Sequence, residues 1–497
     1  MSRSLVLTID AGTTGIRTIL YDRRGVEVAG AYREFTQITP APSLLEHDAA
    51  EIWAVTRSLM SETMARAGAH ARQIAAIGVT GQRATALAWD RKTGQPLHNA
   101  IVWQDLRTWP RCLELTELLG FPVSPFQALT KIEWLLDHVP GVRDRVLSGE
   151  ALVGTLDSWL VWKLTGGAAF VIDASNASTT SMWDPATGDW SPRIVDVLGV
   201  PVERLATVSP SSVVYANADP DLFDGAVVPV AASAGDQQAA TFGQLCLEPG
   251  EGKATYGTAV MVDVNTGGQW VNGRGTYPLS LWRLGDVDSY VLEGTVISGG
   301  AVIGWGRSVR LLESPAETQA LVASVPDAGG VAFVPALQGL GSPSPDPSAK
   351  GAFLGLTRAT TRAHIARAML EGVAFRTREV VEAMRIDSPA PAFRRLPVDG
   401  GMAANDLFLQ IQADVLGVPV DRPSTVQATS LGIAYLAGLA GGFWQDTDEI
   451  RQTRLPATVF EPGPDATSLD DRFHAWQHAV AAVRAYTAAN SAGGTPT

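Results

Sequence analysis

The chain has 497 residues, 46% of them hydrophobic, which exceeds one usual domain and supplies apolar material for two cores. A net charge of −13 excludes the basic face that nucleic acid or an anionic membrane needs, yet leaves room for a small anionic ligand in a locally positive cleft. Cys112 and Cys246 make neither a disulfide framework nor a metal motif, the N-terminal residues carry no apolar signal core, and no apolar run approaches the ~20 residues of a membrane span, so a cytoplasmic protein is expected.

In chain order, Leu5–Ile9 and Ile16–Tyr21 predict a β-hairpin whose turn, Asp10-Ala11-Gly12-Thr13-Thr14-Gly15, offers backbone N–H groups and two hydroxyls to a phosphate. An ordinary Gly/Thr turn is the competing reading. Asp10 ends the strand and suits a hydrated Mg²⁺, which needs one or two carboxylates plus phosphate oxygens. Residues 25–33 continue as strand, and Asp48…Glu51 reads as a capping box opening an amphipathic helix over 49–67. Residues 74–79 predict a buried strand ending in Thr80-Gly81-Gln82-Arg83, and 87–89 begin another. Asn99–Asp105 is a strand end followed by a polar corner, which makes Arg83, Trp103 and Asp105 candidate ligand contacts, with a core aromatic as the alternative for Trp103. Residues 130–138 and a segment from 157 predict helices, 170–183 a Ser/Thr/Asn loop, and 184–225 Pro- and Asp-rich turns.

Residues 227–232 predict a strand running into Gly235-Asp236-Gln237-Gln238 and a small-residue helix. An Asp at that place is either a helix cap or a group facing a ligand. Residues 246–252 read as a boundary, and the following hairpin turn, Tyr256-Gly257-Thr258-Ala259, echoes the first, as a duplicated fold would near mid-chain. A helix is predicted over 361–384, a strand over 396–399 leading into Gly400-Gly401-Met402-Ala403-Ala404-Asn405, a helix over 405–416, a small-residue helix over 429–442 suited to close packing, and a frayed end from about 488. There is no G-x-x-x-x-G-K-[ST] loop, dinucleotide fingerprint or protein-kinase signature.

The stretches DAGTTGIR, IVWQDLRT, TKIEWLLDH, SAGDQQAATFGQL, TYGTAV, DGGMAAN and LGIAYLAG together resemble the FGGY carbohydrate kinases from about residue 5 to 485, and EHDAAEIW, IAAIG and LAGLAGGFWQ are most similar to the glycerol kinases among them. The resemblance implies an α/β, two-domain actin/hexokinase-like (ribonuclease H-like) fold with a central cleft. The domains would be 1–245 on the substrate and phosphate side and 246–487 on the nucleotide side, with 488–497 a flexible tail. It implies ATP and Mg²⁺ as cofactors and a homo-oligomer, dimer or tetramer.

The same resemblance implies Asp236 as the base that takes the proton of a primary hydroxyl. Asp10, with Asp236, would place the metal. Thr13, Thr14, Arg17 and Thr258 would contact phosphates, and Gly300, Gly401 and Asn405 the adenosine. Arg83, Ala84, Trp103, Phe126, Asp236 and Gln237 fall at substrate positions. Two of these depart from the glycerol-kinase pattern, in which Ala84 would be acidic and Phe126 a Tyr; Val260 replaces an aromatic after the second phosphate turn and opens space, and Gly304 replaces an adenine-side Gln. The expected reaction is ATP-dependent phosphorylation of a small polyol. The alternatives are a larger polyol or ketose, such as erythritol or xylulose, and a non-catalytic nucleotide-binding protein on the same fold, which would have no use for an acid at Asp236.

Overall fold

The computed structural model describes residues 3–424, 427–454, 456–463 and 466–491. The first hairpin forms as predicted, with Leu5–Ala11 antiparallel to Gly15–Tyr21 and Asp10 opposite Arg17. Glu27–Glu34 extends it on the outer side. On the other side Leu5–Ala11 runs parallel to Ile74–Gly81, which runs parallel to Pro229–Gly235. Strands buried on both faces read as continuous apolar runs, and these do. Register puts Ala11 opposite Gly81 and Gly81 opposite Gly235, so the carboxyl ends of three parallel strands are level. Gly81 permits this closeness, since a Cβ there would lie 2.2 Å from the Ala11 carbonyl oxygen.

The chain divides into two units, the first being Met1–Leu245, Leu279–Tyr290 and Gln427–Arg454, the second Cys246–Pro278, Val291–Val426 and Leu455–Thr497. In the first, Ala49–Ala67 packs on the hairpin strands, its N-terminus capped by the Asp48 carboxylate and its C-terminus turned by Gly68 at φ 58°. Ala428–Ala440 lies against Asp236–Gly243 so closely that a Cβ on Gly432 would meet the Ala239 carbonyl oxygen at 1.8 Å. Leu7, Ile9, Ile77, Val79, Trp89 and Trp159 are core residues of this unit.

The second unit repeats the order. Gly252–Tyr256 and Val260–Gly267 form a hairpin. Leu396–Asp399 runs parallel to Gly252–Tyr256, and Val420–Pro423 parallel to Leu396–Asp399. Ala457–Phe460 adds an antiparallel edge. The helices Arg362–Asp387, Asp406–Leu416 and Ala466–Ser491 contribute to a core containing Tyr256, Val262, Met369, Phe408 and Trp476.

Three expectations change. The predicted loop over 170–183 contains strand Val171–Asp173 and helix Ala174–Ser178, because Asp173 caps that helix by accepting from the Ser175 and Asn176 N–H groups at 2.9 and 3.1 Å. The turns of 184–225 include strand Ser212–Asn217, which pairs with Pro229–Gly235. The last helix continues to Ser491, past the expected fraying point; 492–497 of the expected tail lie outside the described residues. Among the described residues no helix is long and apolar enough to cross a membrane.

Candidate active site

The three level strand ends decide which side chains meet in the first unit. Each parallel strand presents the residues at its carboxyl end: Asp10 and the 12–15 turn from the first, Gln82, Arg83 and Ala84 from the second, Asp236 and Gln237 from the third. The Asp236 carboxylate accepts from its neighbour's backbone, Gln237 N, at 2.8 Å and faces Arg83 Nε at 3.3 Å. Arg83 Nη1 also reaches Gln238 Oε1 at 3.5 Å, and its stem lies where a Cβ on Gly235 would be, which is why a glycine precedes the acid.

Burial, and then the Asp236 charge, push the Asp10 carboxyl up to about 7, with Arg17 pulling the other way. Asp10 and Asp236 are the two carboxylates here that would hold a divalent cation. No group of three or more metal-ligating acidic, His or Cys side chains occurs among the described residues. Asp10 and Asp236 fit Mg²⁺, which is held by one or two carboxylates with phosphate oxygens and water rather than by an all-protein cage.

Around the first turn, the Thr14 hydroxyl lies 3.4 Å from the Tyr32 hydroxyl, and the Arg17 guanidinium covers the Tyr32 ring at 5.1 Å. Trp103 is partly buried and donates from Nε1 to the Thr13 hydroxyl at 3.1 Å, so a predicted substrate residue touches a predicted phosphate residue. Its ring meets that of Phe126 edge-on at 6.1 Å, and Phe126 is 52% exposed. Ala84 is buried and held at φ 58°, a left-handed backbone that few non-glycine residues adopt. Asp105 is not available to a ligand. It is fully buried, accepts from Leu45 N at 2.7 Å, and is clamped by Arg107, which also bonds Glu46 at 2.7 Å.

In the second unit, Thr258 and Gly300 share one corner. The N–H groups of Gly299 and Ala301 donate to the Thr258 carbonyl at 3.0 and 3.1 Å, and Gly300 N–H donates to Gly257 O at 2.8 Å. Gly401 and Asn405 follow strand Leu396–Asp399, the neighbour of Gly252–Tyr256. Gly400, at φ 89°, lets that strand end pass 2.5 Å from the Tyr256 oxygen as measured from a Cβ position. The Asn405 side chain caps the next helix through Phe408 N at 3.1 Å, and the Cβ position of Gly401 is open.

Sequence reasoning missed two groups. Lys131 is buried and donates to the carbonyls of Pro125 and Gln127, which flank Phe126; burial pushes its amine down to about 7. Gln37, His47 and Gln82 gather behind the 12–14 turn. The available signals were a Lys inside an otherwise apolar helical face and a His in a strand pair.

Residues 5–243 match the N-terminal domain and residues 255–441 the C-terminal domain of the FGGY family of carbohydrate kinases. The chain is 44% identical to a glycerol kinase of Carboxydothermus hydrogenoformans over 97% of its own length and 99% of the relative's. It is 46% identical to a glycerol kinase of Trichlorobacter lovleyi over 96% and 98%. Its structure is similar to that of the Plasmodium falciparum glycerol kinase with ADP, at TM-score 0.90 and 29% identity, covering 97% of this chain and 98% of that one. A xylulose kinase of Lactobacillus acidophilus shares the fold, at TM-score 0.86 and 22% identity over 98% and 99%. The chain belongs to the FGGY family of carbohydrate kinases, ATP-dependent phosphotransferases that use Mg²⁺ and act on an alcohol acceptor.

Proposed function

We propose that the chain transfers the γ-phosphoryl group of ATP to a primary hydroxyl of a small polyol, with Asp236 as the base. The reading is carried by one observation: an acid at a strand end, 3.3 Å from Arg83 Nε and close enough to Asp10 to raise its pKa. Phosphoryl transfer asks mainly for positioning and charge stabilisation. In this reading Arg83 and Trp103 orient the polyol, and Asp236 accepts the hydroxyl proton as that oxygen bonds to phosphorus and ADP departs. The Thr13–Thr14 turn, Arg17 and Thr258 receive phosphate oxygens. Gly300, Gly401 and Asn405 face the adenosine, the open Cβ position of Gly401 leaving room for it. Asp10 and Asp236 would hold Mg²⁺, which would supply charge neutralisation at the phosphates. The two units thus serve as a substrate and phosphate side and a nucleotide side.

The glycerol kinase relatives favour glycerol. Ala84 and Phe126 favour a second reading, a four- or five-carbon polyol or ketose, because an acidic acceptor and a phenolic hydroxyl expected at those positions are replaced by apolar side chains. ADP release, measured over glycerol, tetritols, pentitols, xylulose and ribulose, decides between them. Turnover with at least one is expected, and no stimulation above ATP alone by any of them refutes the reading. Ala84→Glu adds a charge-assisted acceptor worth about 1.5–3 kcal/mol, roughly 10–100-fold in kcat/KM for glycerol, if the pocket is glycerol-shaped. If the substrate is larger, the same change lowers its kcat/KM, since the added side chain occupies its space. Both cysteines are buried and reduced, which fits a cytoplasmic setting, and a dimer or tetramer is the assembly that sedimentation would test.

A further inference from the structure

The backbone of the phosphate turn is gripped from behind. Gln82 Nε2 donates to the Gly12 carbonyl at 3.2 Å, and Gln37 Nε2 donates to the Thr13 carbonyl at 3.1 Å. In a planar trans peptide the N–H points opposite its C=O. Holding Gly12 O therefore aims Thr13 N–H away from Gln82, and holding Thr13 O aims Thr14 N–H away from Gln37. Without these donors either peptide could rotate and turn a carbonyl toward the anion.

One imidazole orients both carboxamides. His47 Nε2 lies 3.0 Å from Gln37 Oε1, and His47 Nδ1 lies 3.3 Å from Gln82 Nε2. Gln37 Oε1 only accepts, so Nε2 carries the ring proton; Gln82 Nε2 only donates, so Nδ1 is the acceptor. The ring is fully buried and packs edge-on against Phe35 at 4.8 Å, and its segment is fixed by pairing with Ala100–Ile101. Burial pushes its pKa down to about 4, consistent with the neutral tautomer this pattern requires. The circuit then closes. Gln82 Oε1 accepts from the Thr85 hydroxyl at 2.7 Å, that hydroxyl accepts from Trp103 N at 3.2 Å, and Trp103 Nε1 returns to the Thr13 hydroxyl at 3.1 Å.

We propose that His47 is a positioning residue for phosphate binding, fixing the direction of the Thr13 and Thr14 amides through Gln37 and Gln82. This rests on the phosphate role given above to the first turn. The test is equilibrium binding of Mg²⁺ with the non-hydrolysable triphosphate AMP-PNP, and separately of AMP, to the full chain and its variants. Gln37 is on the surface but accepts from the buried His47 Nε2–H, so Gln37→Ala is expected to fold with its melting temperature lowered by only a few degrees. It should weaken AMP-PNP binding about 3–10-fold, the effect of one lost hydrogen bond, with AMP binding within about twofold. His47→Leu should weaken AMP-PNP about 10–100-fold, and His47→Asn, which restores an acceptor toward Gln82, should recover about tenfold of that. If His47→Leu does not fold, Gln37→Ala decides alone. Unchanged AMP-PNP affinity in Gln37→Ala, or parallel loss of AMP-PNP and AMP, overturns the proposal. Wild-type AMP-PNP binding with no phosphorylation of any polyol would overturn the substrate reading instead and leave this comparison interpretable.

Discussion

Gly432→Ala tests whether helix contact at the back of the first unit governs the base at its front. An Ala Cβ at 432 would lie 1.8 Å from the Ala239 carbonyl oxygen, 2.7 Å from its carbon and 2.7 Å from Gly243 N. All three are backbone atoms, so no rotamer relieves the overlap, and reaching ordinary contact at 3.4 Å requires about 1.6 Å of helix separation. Gly243 makes the reciprocal approach, its Cβ position being 2.0 Å from the Ala428 oxygen. The displaced helix, Asp236–Gly243, begins with the proposed base and is held at that end by the preceding strand, by Gly235 N–H to Ser175 Oγ at 3.0 Å and by Arg83 against Asp236 at 3.3 Å. Overpacking of this kind costs about 1–3 kcal/mol, or about 2–10 °C in Tm for a unit of this size. A misplacement of about 1 Å in a reacting group costs about 100-fold in rate. The assay is kcat at saturating ATP and polyol beside thermal melting. Gly438→Ala serves as comparison, because the atoms nearest its Cβ are side-chain atoms, the Trp444 ring at 2.2 Å and Phe443, so it should lower Tm and spare kcat. Wild-type Tm and kcat in Gly432→Ala would refute the contact; a lowered Tm with unchanged kcat would refute its transmission to Asp236.

Asp236→Asn should reduce kcat about 10²–10⁴-fold while AMP-PNP still binds, and retained turnover would remove Asp236 from the base role. Lys253 and Asp263 form a buried pair at 2.8 Å in the second unit, with Asp399 and Glu293 also favouring the Lys253 charge, so Lys253→Met should destabilise by about 3–5 kcal/mol, and the added change Asp263→Leu should restore part of it in denaturant titrations. The His47 ring has its folded pKa depressed to about 4 from 6.5, so the unfolded chain binds a proton the folded one refuses. The stability it confers is complete above pH ~6.5 and is lost as pH falls toward ~4, about 2–4 kcal/mol in all. Urea unfolding at pH 7 and pH 4.5 should show a smaller pH difference in His47→Asn than in wild type.

Elements whose physics is local can be read from the chain alone. Alternating and continuous apolar runs specify the strands of both hairpins, Asp48 and Gly68 bound the first long helix, and the Gly/Thr content of 12–15 specifies a turn rich in exposed donors. The Gly235-Asp236 junction was likewise legible, because a glycine before an acid at a strand end is a short-range pattern. Elements from 170 to 217 were less so, since their Ser, Thr and Asn residues fit loop, cap and strand alike until Asp173 and the neighbouring strand choose.

Other features exist only through register and packing. Asp105 and Asp10 are both acids beside strand ends, yet Arg107 and burial consign the first to structure, while the level ends of three parallel strands bring the second to Asp236. The first unit completes itself with Leu279–Tyr290 and Gln427–Arg454, and in the second of these Gly432 matters because backbone meets backbone there. Gln37, His47, Gln82 and Trp103 close one hydrogen-bonded ring although they span 37 to 103 in sequence, because hydrogen bonding acts over about 3 Å and only the assembled sheet brings those side chains within that distance of one turn.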